Sequence, residues 1–172
     1  MLKVKTKFIC PCQTNVEALE RNLTIWRLYR TTTQSISSIE QMFKSHMKTQ
    51  CPTCKKKSAL EEMFLLGEHS NKFLILQIPL FTIASQPVRM VNHIALGQSS
   101  IINVPSTNGT EAFKIRSLLI HEGNTIKSGH WYTMTHNQLC NTWTRISDLY
   151  VRQFGKRDHL SDVALIFLER NT

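Results

Sequence analysis

The chain has 172 residues, 41% of them apolar, enough to bury one real core as a single domain or a domain with a projecting subdomain; a solitary metal-knuckle peptide is excluded by length. Lysine and arginine outnumber the acids by 21 to 12, a net charge of +9 that favours acidic partners. No run reaches the roughly 18 apolar residues of a membrane span, and no apolar signal segment follows the basic residues 1–7, which makes cytoplasm or nucleus the default location.

Residues 3–10 alternate Val4, Thr6 and Phe8 with Lys3, Lys5 and Lys7, the period-two pattern of a strand with one solvated face. That strand delivers Cys10-Pro11-Cys12. Residues 23–29, rich in β-branched and aromatic side chains, read as a second strand. Ser37-Ser38-Ile39-Glu40 has capping-box spacing and opens a helix with Ile36, Ile39, Phe43 and Met47 on one face, ending just before Cys51. Apolar runs at 60–66 and 72–81, separated by a polar turn at 67–71, suggest an antiparallel pair. Residues 82–111, interrupted by Pro87, Pro105 and a turn at 106–109, read as a short strand and a loop. From Phe113 on, strands at 113–121, 130–136, 141–146, 149–153 and 162–169 form a β meander, so the fold class is α+β and mostly antiparallel β.

Cysteines stand at 10, 12, 51, 54 and 140. An odd count with two close pairs and no secretion signal points to metal, not to a disulfide framework. The Cys51-x-x-Cys54 spacing lets two thiolates of one tight turn reach a tetrahedral ion at about 2.3 Å each, and Cys10 with Cys12 supplies the other half of a structural zinc (Zn2+) site. A redox dithiol would need a helix N-terminus after a strand, whereas this pair follows a helix; an incidental pair is the remaining alternative. Cys140 reads as a small buried apolar residue.

Gly129-His130-Trp131-Tyr132 follows His121-Glu122-Gly123 and precedes Trp143 and Ser147-Asp148. A histidine entering a strand straight after glycine can leave one imidazole edge open, as a general base requires; a packed strand-end histidine is the plain alternative. With a turn near Asn137-Gln138, facing positions sum to about 275, which sets His130 opposite Arg145. Ser147 then shares the histidine's face, and Asp148 points to the other unless a bulge intervenes. Cys140 would face Thr135, roughly 17 Å from His130.

The order His-x-Gly, Gly-His-aromatic, Trp-x-x-x-Ser-Asp and a closing apolar run at 163–168 resembles the later part of a ubiquitin-specific protease catalytic domain, a cysteine peptidase family. Residues 72–81 are similar to that family's Leu-Ile-x-x-Leu-Lys-Arg-Phe strand, with Pro79 and Leu80 in place of the basic pair. The first knuckle departs from the family in being Cys-x-Cys, where Cys-x-x-Cys is usual. Nothing like the family's Gly-Asn-Thr-Cys box or its helical thumb precedes Cys10.

The resemblance implies a papain-like fold within one domain fragment, residues 1–172, with zinc fingers over about residues 3–65 and a β palm over about 66–172, the thumb missing. It implies thiol-dependent deubiquitination as the family activity, with His130 as the base and Ser147 and Asp148 as its orienters. Ser147 stands where the family has Asn or Asp; serine can accept the imidazole N–H but cannot stabilise imidazolium by charge. The substrate tail falls to His121, Gly123, Gly129 and Trp131, with Gly129 allowing close backbone approach; strand-end packing is the alternative for His121. The expected partner is ubiquitin or a ubiquitin-like protein, held without cleavage because the nucleophilic cysteine is absent. A basic zinc-ribbon module binding nucleic acid, on the +9 balance and the lysines at 55–57, is the rival; no membrane partner is expected.

Overall fold

A computed structural model of the chain describes residues 2–10, 12, 19–28, 36–43, 47–51, 53–56, 59–65, 72–82, 85–90, 93–95, 100–106, 109–125, 127–155 and 159–171. Among these, the strands are β1 (Leu2–Ile9), β2 (Leu19–Leu23), β3 (Trp26–Arg27), β4 (Ile36–Ser38), β5 (Met47–Thr49), β6 (Ala59–Leu65), β7 (Phe73–Gln77), β8 (His93–Ala95), β9 (Ile101–Ser106), β10 (Gly109–Glu122), β11 (His130–Asn137), β12 (Thr142–Ser147), β13 (Tyr150–Phe154), β14 (His159–Ser161) and β15 (Val163–Arg170). One short helix, α1 (Ile39–Phe43), accompanies them. No helix of the described residues is long and apolar enough to cross a membrane.

Twelve strands share one sheet whose spine runs β13-β12-β11-β10-β9-β6-β1-β2. β15 pairs with β10 and β7, β7 pairs with β3, and β5 lies against β6; β14, β8 and β4 make a separate three-stranded sheet. The centre is β10. Phe113 and Ile115 point inward, then a register shift between Ile115 and Ser117 moves the inward set to Leu118 and Ile120. Arg116 is the extra residue of that bulge, without which the apolar side chains of β10 would change faces halfway along. Leu74, Leu76, Ile166, Leu168 and Trp143 pack on the same side, closed over by Trp26, Leu28, Ile39 and Met42.

Local propensity lost to tertiary pairing in several places. The expected helix up to Cys51 is only α1, because Met47–Thr49 instead pairs with β6, Thr49 opposite Ala59; residues 44–46 lie outside the described residues. Ile39 and Met42 are the buried helical pair, with Phe43 packed against Trp26 at 5.1 Å. The expected strand at 23–29 is broken by bends at Thr24 and Ile25 into the end of β2 and β3, with Tyr29 outside the described residues. The runs at 60–66 and 72–81 do not pair with each other: β6 lies between β1 and β5, while β7 aligns with β15, which buries Leu74 and Leu76 in the core. The polar turn proposed between them, 67–71, lies outside the described residues. Residues 82–111 hold β8 and β9, more strand than expected, and Pro105 is tolerated near the end of β9 opposite Thr110. The meander holds for β10 to β13, but β15 returns to β10 instead of extending from β13.

Candidate functional site

The two cysteine knuckles are brought together by β6. Its start is flanked by β1, with Ile9 opposite Leu60, and by β5, with Thr49 opposite Ala59, so Cys10 and Cys51 leave their strands at the same end. The Cys51–Cys54 turn is closed by Lys55 N–H donating to the Cys51 carbonyl at 2.9 Å, Lys55 taking a left-handed φ of 59°. All four ligand sulfurs lie within 4.8 Å of one another, Cys10 to Cys54 at 3.5 Å and Cys12 to Cys51 at 3.9 Å. A tetrahedral zinc with Zn–S near 2.3 Å asks for sulfurs about 3.8 Å apart. The Cys54 backbone N–H, first among several causes, holds the Cys51 thiol below its ordinary value. Cys10 is pushed up to about 12: the Cys12 backbone N–H favours its thiolate, but burial and the neighbouring thiols outweigh it. Four such thiolates fit a divalent cation, and these cysteines are the ligands that would hold it. Pro11, expected to pre-set the first turn, lies outside the described residues, as do Pro52 and Lys57.

At the other end of the sheet His130 opens β11. The observed register sets Thr133 opposite Ile146 and His136 opposite Trp143, a sum of 279 in each pair, because the turn centres on Leu139-Cys140 instead of Asn137-Gln138. Met134, not His130, therefore faces Arg145. Ser147 still falls on the histidine's face, where its buried hydroxyl lies 2.6 Å from His130 Nε2. Asp148 belongs by parity to the other face but takes a left-handed φ of 41° in the turn to β13, which brings its carboxylate within 3.6 Å of His130 Nδ1. That contact is weak, since Asp148 is 72% exposed. Opposite His130 across the sheet stands Glu122, paired with Arg145 at 3.3 Å; the Arg145 guanidinium lies 3.7 Å over the Tyr132 ring. Burial, then the Glu122 carboxylate, pushes the Tyr132 hydroxyl up to about 12.

Cys140 is exposed in the β11–β12 turn with its sulfur 3.0 Å from Thr142 Oγ1, not buried opposite Thr135 as expected. It sits beyond the far end of β11 from His130, at least roughly 20 Å at about 3.4 Å per residue. The other cysteines are separated from β11 by β10, β9 and β6. Among the described residues, which include all five cysteines, no thiol meets the imidazole.

His121, one of the expected tail-binding residues, is 2% exposed and lies tilted against Trp131 at 4.4 Å between ring centres, with Phe81 edge-on at 6.2 Å. The glycines beside it are required by space. A Cβ on Gly129 would fall 2.2 Å from His121 Nε2, and one on Gly123 would fall 2.6 Å from the Gly129 Cα. Phe81, Leu119, His121, Trp131 and Leu165 line an apolar groove of about 360 Å³, closed at one side by Arg27. Arg27 Nε and His121 Nδ1 are buried there without a protein partner. Burial, and next the Arg89 guanidinium, hold the His121 imidazole below its usual 6.5, only partly opposed by Asp162. The unfolded chain takes up this proton near 6.5 and the folded chain only at lower pH, so stability is complete above that value and falls as the pH drops below it. Thermal melts from about pH 7 to about pH 5 should show a falling midpoint, with a shallower decline in His121→Phe, which keeps an aromatic ring but cannot be protonated.

The family model described as ubiquitin carboxyl-terminal hydrolase matches residues 11–168. The chain belongs to this family. Solved structures similar to this ubiquitin carboxyl-terminal hydrolase chain include the Ubp8-Sgf11-Sgf73-Sus1 SAGA DUB module, at a TM-score of 0.73 and 15% identity, covering 99% of this chain and 39% of that one. Another is the SAGA Ubp8/Sgf11/Sus1/Sgf73 DUB module bound to ubiquitin aldehyde, at 0.73 and 13%, covering 99% and 41%. A yeast SAGA DUBm with a mutant Sgf73 gives 0.70 and 13%, again covering 99% and 41%. At these identities the likeness is one of fold, and the chain spans about 40% of the length of each chain it aligns with. No curated protein matches.

Phe81, Arg89 and Glu122, which lie beside the expected site residues, were not among those expected there, and Arg145, expected opposite His130, pairs with Glu122 instead. Phe81 closes the strand motif at 72–81 and could have been singled out there; Arg89 and Glu122 meet partners that only the folded chain brings near.

Proposed function

We propose that the chain is the fingers and palm of a ubiquitin-specific protease and holds the C-terminal tail of ubiquitin, or of a ubiquitin-like modifier, without cleaving it. The observation that carries the reading is the apolar groove from Phe81 past His121 to Trp131, one residue from His130 and bordered by Gly123 and Gly129. A peptide is its natural occupant. Apolar walls take side chains, and the unpaired buried nitrogens of Arg27 and His121 take backbone polar groups, whose partners would otherwise be missing. Leaving the groove over Gly129, where no side chain intervenes, the tail would approach the His130 imidazole.

In this reading β1, β2, β5 and β6 with the cysteine cluster are the fingers, residues 66–172 the palm, and Trp26, Leu28, Ile39 and Met42 pack back onto the palm core. Zinc, when bound, closes the fingertip and takes no part in chemistry at His130. Ser147 orients the imidazole through Nε2 and leaves Nδ1 as the proton acceptor. Catalysis stops there, because no thiol of residues 1–172 reaches Nδ1, and without a thiolate no acyl intermediate forms. The +9 balance has no counterpart in the groove, and the nucleic-acid alternative gains no support.

Titration of dye-labelled ubiquitin with the chain, read by anisotropy, tests the proposal, Trp131 being 50% exposed in the groove. Saturable binding is expected, weakened by about tenfold or more in Trp131→Ala and lost when the ubiquitin lacks its last two glycines. Equal affinity for the truncated modifier would remove the groove from consideration.

A further inference from the structure

The groove has two walls that come from distant parts of the chain, and one side chain ties them together. Arg89 sits in a tight hairpin held by Met90 N–H donating to the Leu80 carbonyl at 2.8 Å and Thr82 N–H to the Val88 carbonyl at 2.9 Å, with Phe81 and Arg89 bridged antiparallel. From there its guanidinium lies 5.5 Å over the Phe81 ring, on the first wall. Its two terminal nitrogens reach the second wall: Nη2 donates to the His121 carbonyl at 2.9 Å, and Nη1 to the Gly123 carbonyl. Asp162 completes the arrangement, its carboxylate 2.6 Å from Nη2 and its own carbonyl accepting the His121 N–H at 3.0 Å. Both side chains are largely covered, Arg89 at 18% exposed and Asp162 at 29%.

A planar fork suits this task and an ammonium does not. The guanidinium serves two carbonyls and a carboxylate while presenting a flat face to an aromatic ring, whereas lysine offers a point charge on a flexible stem. The tied carbonyls flank Glu122 at the end of β10, just before the turn that leads through Gly129 to His130. Ordering that backbone before a partner arrives removes part of the conformational cost of binding.

We infer that Arg89 is a positioning residue of the groove: by fastening the His121 and Gly123 carbonyls to Asp162 and to the Phe81 wall, it sets the groove width and the entry to His130. The inference rests on the ubiquitin reading above for what the groove holds, but not for the fastening itself.

Arg89→Lys in the full chain is the test, because Arg89→Ala risks unfolding the hairpin. Hydrogen exchange read at 121–131 and at β15, together with ubiquitin affinity, separates the possibilities. Expected are exchange at 121–131 faster by at least tenfold, β15 unchanged, and ubiquitin bound at least tenfold more weakly. Unchanged exchange at 121–131, exchange rising equally in β15, or faster local exchange with undiminished affinity would each overturn the role. If the parent chain binds no ubiquitin, the ubiquitin reading fails, and the exchange comparison still decides whether Arg89 fastens the two walls.

Discussion

Replacing Cys51 with alanine should abolish the binding of one zinc ion per molecule and unfasten both knuckles together. Cys51 is wholly buried, and its sulfur sits 3.9 Å from Cys12 and accepts the Cys54 N–H at 3.5 Å. Of the strands that carry the knuckles, β1 is anchored by β2 and β6 and by Leu2 and Val4 in the core, whereas among the described residues β5 pairs only with β6, and β6 pairs with β9 through the single pair Leu65 and Ser106. Four-thiolate zinc binding contributes on the order of 10 kcal/mol in small metal-dependent folds, far more than the burial of one such strand. Metal analysis should therefore fall from one equivalent to none, and hydrogen exchange should rise first at β5 and at the ends of β1 and β6 beside the cysteines, leaving β10 and β15 protected. Chelation of the parent protein should reproduce the pattern. A full complement of freely alkylated thiols in native protein as purified, with no zinc, would remove the metal site.

Gly129→Ala is expected to have the largest effect on the palm side. The new methyl would fall 2.2 Å from His121 Nε2 and 2.8 Å from the Glu122 carbonyl oxygen. The imidazole has little room to swing clear, since it lies against the Trp131 ring and meets the edge of Phe81. Overpacking of this kind costs about 1–3 kcal/mol, and here the displaced ring also forms a wall of the groove, so ubiquitin binding should be lost with the stability. Gly155→Ala is the matching control. A Cβ there meets nothing within 4 Å, and both the melting midpoint and the affinity should stay at parent values. Denaturant melts of the two variants, with ubiquitin titration of each, decide the matter.

What could be read from the sequence divides along the range of the forces involved. Alternation of apolar and polar residues is a local signal, and it located β10 to β13 and β15 to within a few residues. The Cys51-x-x-Cys54 spacing is equally local. Pairing with Cys10 and Cys12 followed from counting cysteines, and the sulfurs do converge. Ser147 was assigned to the face of His130 by parity, and parity survives the change of register from about 275 to 279, since both sums are odd. Which residue faces which does not survive it, so Arg145 was misplaced opposite the histidine when it belongs beside Glu122. Asp148 could not be placed by parity at all, because a left-handed turn residue leaves the alternation. β5 was hidden inside a helical pattern and emerged only because β6 offers it an edge. Arg89 was invisible for a related reason: its partners are backbone carbonyls 32 and 34 residues away, and a carbonyl leaves no mark in a sequence.

The central proposal is that the His130 imidazole, 2.6 Å from the Ser147 hydroxyl, has no sulfur of the described residues within its reach. Ubiquitin carrying a thiol-reactive group at its C-terminus tests it most directly, followed by the intact mass of the zinc-loaded chain. The expected result is saturable binding with the mass unchanged. A covalent adduct on any cysteine of residues 1–172, abolished by His130→Ala, would contradict it.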